Sequence, residues 1–187
     1  AAMVGRLAWS GHALTLPFAI LFPAFWAAAP TRPAAALVSV AYFLAAARGL
    51  PQGIAAFFGS TVWAGFLLTS VASLSFVSVH AFLWTPRPGL ARALRYGLAA
   101  TLMALPPFGI TGWAHPITGA GVLFPGWGWW GLAATSLLLV TMTTRMWSIV
   151  TLIAAAAWLW SVAAWAPPAI PTDWVGVDTE AGAALGT

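Results

Sequence analysis

The chain contains no cysteine, no lysine and no asparagine. Without cysteine it has no disulfide, no thiolate nucleophile and no sulfur ligand for a metal. Without lysine it has no Schiff-base residue, no lysine general base and no phosphate-binding P-loop. Acidic residues are nearly missing too: Asp173, Asp178 and Glu180 are the only ones, all close to the C-terminus. Charge therefore occupies 5% of the 187 positions, against about 25% in soluble globular domains. So few charges do not clothe a water-soluble surface of this size. Intrinsic disorder needs low hydrophobicity and high charge, and 61% hydrophobic residues exclude it. With a mean hydropathy of +0.92, the class left is an all-α, polytopic transmembrane helical bundle.

What charge there is comes from seven arginines, giving a net charge of +4. They are dispersed between apolar runs rather than gathered on one face, so they read as topology signals and not as a nucleic-acid surface. A bilayer core of about 30 Å takes about 20 apolar residues as helix. The first run is Ala13 to Ala29, closed by Pro30-Thr31-Arg32-Pro33, and the second is Ala34 to Ala47. Gln52 to Ser60 reads as an interfacial or re-entrant loop, and Thr61 to Trp84 as the third span. The fourth runs from Tyr96 to about Leu105 and continues, kinked by Pro106-Pro107, toward Gly112. Gly128 to Thr144 and Trp147 to Trp165 make the fifth and sixth. This divides the chain into a bundle of about six spans over 1–168 and a polar tail over 169–187.

Arginine counting orients the bundle in the membrane. With six spans and the tail outside, Arg32, Arg87, Arg92, Arg95 and Arg145 face the cytoplasm, leaving Arg6 and Arg48 outside. A seven-span alternative splits Gln52–Trp84 in two and leaves only Arg32 outside. Against it, nothing between Leu67 and Trp84 makes a turn. Both versions put the Arg87–Arg95 loop inside and the tail outside. Ala1 to Ala29 also has signal-peptide features, namely Arg6, an apolar core and Ala27-Ala28-Ala29. Pro17 and Pro23 interrupt that core, and more spans follow, so it reads as a retained span. The chain starts without an initiator methionine and is expected to be a piece of a longer protein.

Few motifs carry chemistry. Gly126-Trp127-Gly128-Trp129-Trp130-Gly131 matches G-x-G-x-x-G, but Pro125 precedes it and no acid follows before Asp173, so a dinucleotide site is not supported. Tryptophans at a span end belong instead to the interfacial belt, and the glycines are expected to permit close approach of helices or lipid chains. His12, His80 and His115 lie far apart with no carboxylate near them in sequence, so no metal set is expected. His80 reads as a neutral histidine bonded to a neighbouring helix. His115 is expected at the outer surface, where it could meet a lipid headgroup. The serines sit within helices and give no Ser/His/Asp set. Neither a metal nor a cofactor is expected, and the candidate lipid-facing residues are Pro107, Trp113, His115, Phe124, Trp127, Trp129 and Trp130.

Three blocks carry a resemblance. They are Tyr42 to Gly53 (YFLAAARGLPQG), Leu105 to Pro116 (LPPFGITGWAHP) with its continuation Ala120 to Trp129, and Trp174 to Thr179. Together they resemble the conjugal transfer protein TraB family over most of the chain, least in Thr61–Ala104. That family is similar to apolipoprotein N-acyltransferase, a membrane bundle bearing an extracytoplasmic carbon–nitrogen hydrolase (nitrilase-like) domain. The resemblance implies a Glu-Lys-Cys set in such a domain, a cysteine splitting acyl transfer into two easier steps. No residue here matches that set, because cysteine and lysine are absent and Glu180 has no surrounding motif. It also implies a cytoplasmic loop at Arg32, as in the six-span version.

The reading is a membrane-anchoring domain of a TraB-like protein that positions a carbon–nitrogen hydrolase-like domain outside the membrane. Its partners would be membrane lipids and other conjugation-apparatus proteins. The alternatives are the membrane domain of a lipoprotein N-acyltransferase, an enzyme, or a small transporter or scaffold. A Glu…Lys…Cys set after Thr187 would indicate an enzyme, an altered set an accessory protein, and a stop codon the third class.

Overall fold

A computed structural model describes residues 1–111 and 113–166. The expected tail and all three acids lie outside these residues. Among the described residues the chain is helical and has no strand. In chain order come α1 (Ala2–Ala8), a 3-10 stretch (Ala13–Leu21), α2 (Phe22–Ala28), α3 (Arg32–Ala46), α4 (Leu50–Phe58) and α5 (Val62–Leu83). After them come α6 (Leu90–Ala104), 3-10 turns at Phe108–Thr111 and Pro116–Gly119, α7 (Ala120–Leu123), α8 (Trp129–Thr141) and α9 (Trp147–Ala164).

Local chemistry sets these boundaries. The Thr31 hydroxyl accepts from the Ala34 amide at 3.3 Å and caps α3, while Pro33 occupies the first turn, where its missing N–H costs nothing. Gly59 ends α4 in the left-handed region, with φ 56, a conformation that glycine adopts without a Cβ penalty. At the end of α6, Leu105 is extended (φ −107, ψ 149) because a following proline disfavours helical geometry. The chain then turns into the 3-10 segment at Phe108, so the expected kinked continuation of the fourth span does not form.

An aromatic cluster makes the centre. Phe22 stacks on Tyr42 with centroids 4.4 Å apart, and Phe43 packs against Phe76 and His80. Trp26 donates its indole N–H to the His80 carbonyl at 3.1 Å, tying α2 to α5. His80 is buried and its Nδ1 lies 2.8 Å from the Phe76 carbonyl one turn back. A carbonyl only accepts, so Nδ1 carries the proton. Its partner is thus its own helix, not the neighbouring helix expected. Gly65 permits the α4–α5 contact: a Cβ there would overlap the Pro51 carbonyl.

Two helices are long and apolar enough to cross a membrane, α5 with 22 residues and α9 with 18. A third candidate is α3 with α4, bent by 50° at the break between them. That is fewer than the six spans expected. The 13-residue α8 reaches only about 20 Å at about 1.5 Å per residue, short of a bilayer core of about 30 Å. The proposed first span is half 3-10 and half α-helix, and α6 starts at Leu90 and carries Arg92 and Arg95 within it. α4 is helical where a loop was expected, and α5 is one unbroken helix, so the Thr61–Trp84 reading stands.

Candidate membrane-interface site

Six of the seven candidate residues fall into an inner and an outer group, and Pro107 stands apart from both. Trp113 and His115 belong to the inner one. The Trp113 ring meets Phe76 edge-on at 6.1 Å, and its buried indole N–H has no partner. His115 is 5% exposed, contrary to the surface position expected for it. Its Nε2 lies 2.9 Å from the Ala100 carbonyl on α6, and its Nδ1 accepts from the Ile117 amide at 3.0 Å. These partners fix one tautomer: Nε2–H donates and Nδ1 accepts. Burial holds the ring's pKa below its usual value, opposed in part by the bond to Ala100. With both nitrogens committed, His115 braces the turn at Pro116 against α6 and has no lone pair left for a ligand.

The residue before it is unusual. Ala114 has φ 61, in the left-handed region, which costs a non-glycine residue about 1–2 kcal/mol. The Tyr42 hydroxyl donates to its carbonyl at 3.1 Å and helps hold it there. Tyr42 also accepts from the Trp9 indole at 3.4 Å, so one phenol joins α1, α3 and this turn. Sequence reading singled out neither Tyr42 nor Ala114. Only a contact 72 residues away reveals the pair.

Phe124, Trp127, Trp129 and Trp130 form the outer group. Phe124 is half-buried under Trp127 at 5.5 Å. Trp127, Trp129 and Trp130 are 59%, 85% and 79% exposed. Gly126 and Gly128 have φ 80 and 52 with open space around them, so they serve the turn and no helix packs closely on them. Gly131 does pack closely: a Cβ there would stand 3.1 Å from that of Phe124. Trp127 and Trp130 flank a groove of about 580 Å³ that follows Ala133, Ala134 and Leu137 along α8. Pro107 is exposed in the turn after α6 and lines neither the groove nor the inner pair.

The chemistry available here is binding. No group of histidines and carboxylates suited to a metal occurs among the described residues. Ser39, Ser78 and Ser136 donate to the carbonyls of the preceding turn, as helical serines do, and none faces a base. An apolar groove between exposed indoles fits an acyl chain or an apolar protein surface.

A bundle of apolar helices around an aromatic centre, with exposed indoles at one turn, is the class these observations define. Residues 44–173 match the carbon–nitrogen hydrolase family, and the chain belongs to it. Two relatives are named for conjugal transfer. One, a probable conjugal transfer protein TraB of Sinorhizobium fredii, is 57% identical over 98% of this chain and 47% of its own. A conjugal transfer protein TraB of Agrobacterium fabrum is 51% identical over 98% of this chain and 46% of its own. An uncharacterized protein outside the virF region of Agrobacterium tumefaciens is 54% identical over 38% of this chain and 47% of its own. The chain thus spans about half the length of the curated TraB relatives it matches. No solved structure matches it.

Proposed function

We propose that these residues are the membrane-anchoring bundle of a TraB-type conjugal transfer protein and hold a carbon–nitrogen hydrolase-like domain at the outer face of the inner membrane. The observation that carries the reading is the apolar surface left bare on the longest helices. On α5, Leu67 and Phe82 are 68% and 76% exposed, and on α9 Leu152 and Trp160 are 71% and 74% exposed. Only 17% of α9 is buried. Soluble monomers rarely leave contiguous apolar faces of this kind, and lipid covers them without cost. The relatives named for conjugal transfer supply the biological setting.

The placement of the arginines supports the six-span grouping. Arg48 donates to the Arg6 carbonyl at 3.2 Å, so these two share one end. Arg92 and Arg145 line one cleft together with Ala28, four residues before Arg32. α3 runs from Arg32 toward Arg48 and separates the two sets. In this topology Ala13–Ala28, α6 and α8, each shorter than the bilayer core, are accommodated by local thinning of the bilayer and by arginine stems that reach to the headgroups. Partners follow from the same reading: lipids on the bare faces and conjugation-apparatus proteins at the rim. Expression in a bacterium followed by alkaline carbonate washing tests the anchoring. The chain should stay in the membrane pellet, and its release into the wash would refute the reading.

A further inference from the structure

A second cleft lies at the arginine-rich end, away from the tryptophan rim. It has a volume of about 530 Å³ and is bordered by Phe25, Gly89, Arg92, Thr144, Arg145 and Trp147, among others. Arg92 is held by two neutral acceptors, through Nη1 to the Ala27 carbonyl at 2.8 Å and through Nη2 to the Pro86 carbonyl at 3.0 Å. Its Nε–H is buried without a partner. Arg145 is exposed, and its guanidinium bonds to nothing among the described residues. No carboxylate occurs in the sequence before Asp173, so neither charge has a counterion in the bundle.

Backbone adds to the same field. Gly89 caps the N-terminus of α6 and Trp147 opens α9, and both border the cleft. Neither helix has an acid in its first turn or a side-chain cap. Helix N-termini carry partial positive charge and free amides that favour anions. Two arginines and two helix ends thus border one hollow. Apart from Thr143 and Thr144, whose hydroxyls donate to the Val140 and Thr141 carbonyls, the remaining wall is apolar, with Phe25 and Trp147 46% and 53% exposed.

We propose that this cleft binds the headgroup of an acidic phospholipid, its phosphodiester at Arg92 and Arg145 and its acyl chains along Phe25 and Trp147. A zwitterionic lipid brings its own cation and gains less from the unpaired arginines. A free phosphate would meet the charge but leave the apolar wall bare. Basic pockets between spans on the cytoplasmic side suit such headgroups. The proposal rests on the membrane reading above, and the carbonate wash tests that reading separately.

The test uses the full chain purified in neutral detergent and titrated with phosphatidylglycerol, with phosphatidylcholine, or with inorganic phosphate, followed by thermal unfolding and native mass spectrometry. Phosphatidylglycerol should bind about tenfold more tightly than phosphatidylcholine, and inorganic phosphate should not reproduce the effect. Arg145→Gln removes a guanidinium that makes no internal bond, so the fold should be kept. One charge near the surface corresponds to about a fivefold loss of phosphatidylglycerol affinity. Arg6→Gln, at the other end, should bind as the parent does. Equal affinity for the two lipids, or equal loss in the two variants, would overturn the proposal. An equal response to inorganic phosphate would reassign the cleft to a free anion. A lipid preference seen only in D173N/D178N/E180Q would assign it to the chain's own tail.

Discussion

Replacing His115 separates a brace from a ligand-binding residue. The ring joins the Ala100 carbonyl to the Ile117 amide from a position 5% exposed. His115→Ala removes a helix-capping acceptor, a bond to a buried carbonyl and part of a packed ring. Together these are worth about 2–4 kcal/mol. Thermal unfolding in detergent should show a fall of several degrees. Asn keeps an acceptor near the Nδ1 position and Gln keeps a donor near Nε2, so each should recover part of the loss. The pH dependence follows from the lowered pKa. The folded state resists protonation, so the unfolded chain binds more protons as pH falls below about 6.5. Stability should therefore be full above that pH and decline below it, with a shallower decline in His115→Asn. Wild-type stability in His115→Ala, together with an unchanged pH slope, would refute the brace.

Three further outcomes are expected. Gly65→Val should lower the melting temperature by driving a Cβ into the Pro51 carbonyl and parting α4 from α5, at a cost of about 1–3 kcal/mol; unchanged stability would argue against that contact. Brominated lipids should quench Trp127, Trp129 and Trp130 most strongly from shallow positions, and Trp113 weakly, in variants retaining one of these tryptophans each. Maximal quenching from the bilayer centre would contradict the rim. Purified residues 1–187 should show no acyl transfer or amide hydrolysis, since no activated nucleophile can be assembled from them; turnover that survives removal of host acyltransferase would overturn this.

Long apolar runs without breakers were legible in the sequence. The Thr61–Trp84 run became α5 and Trp147–Trp165 became α9, each within a residue or so. The start of α6 was not, because Arg92 and Arg95 were read as loop. Both sit in the first turns of a helix capped by Gly89, and Arg92 turns its charge back onto the carbonyls of Ala27 and Pro86. α1 escaped notice because seven residues carrying Arg6 make no apolar run. Trp127, Trp129 and Trp130 are exposed at the start of α8, where an indole-rich span end is expected to meet an interface. His115 was misplaced because its burial depends on Ala100, 15 residues away on another element. Nor does a sequence pattern show that Arg92 and Arg145, far apart in the chain, line one hollow.

The orientation of the bundle is the centre of this account, and the chain's lack of cysteine makes it directly measurable. Ala91 is exposed at the start of α6 beside the arginine cleft, and Gly182 lies in the tail. Single cysteines at these positions can be treated in intact cells with a membrane-impermeant thiol reagent, and again after permeabilisation. Gly182→Cys should be labelled in intact cells and Ala91→Cys only after permeabilisation. Labelling of Ala91→Cys in intact cells with protection of Gly182→Cys would contradict it.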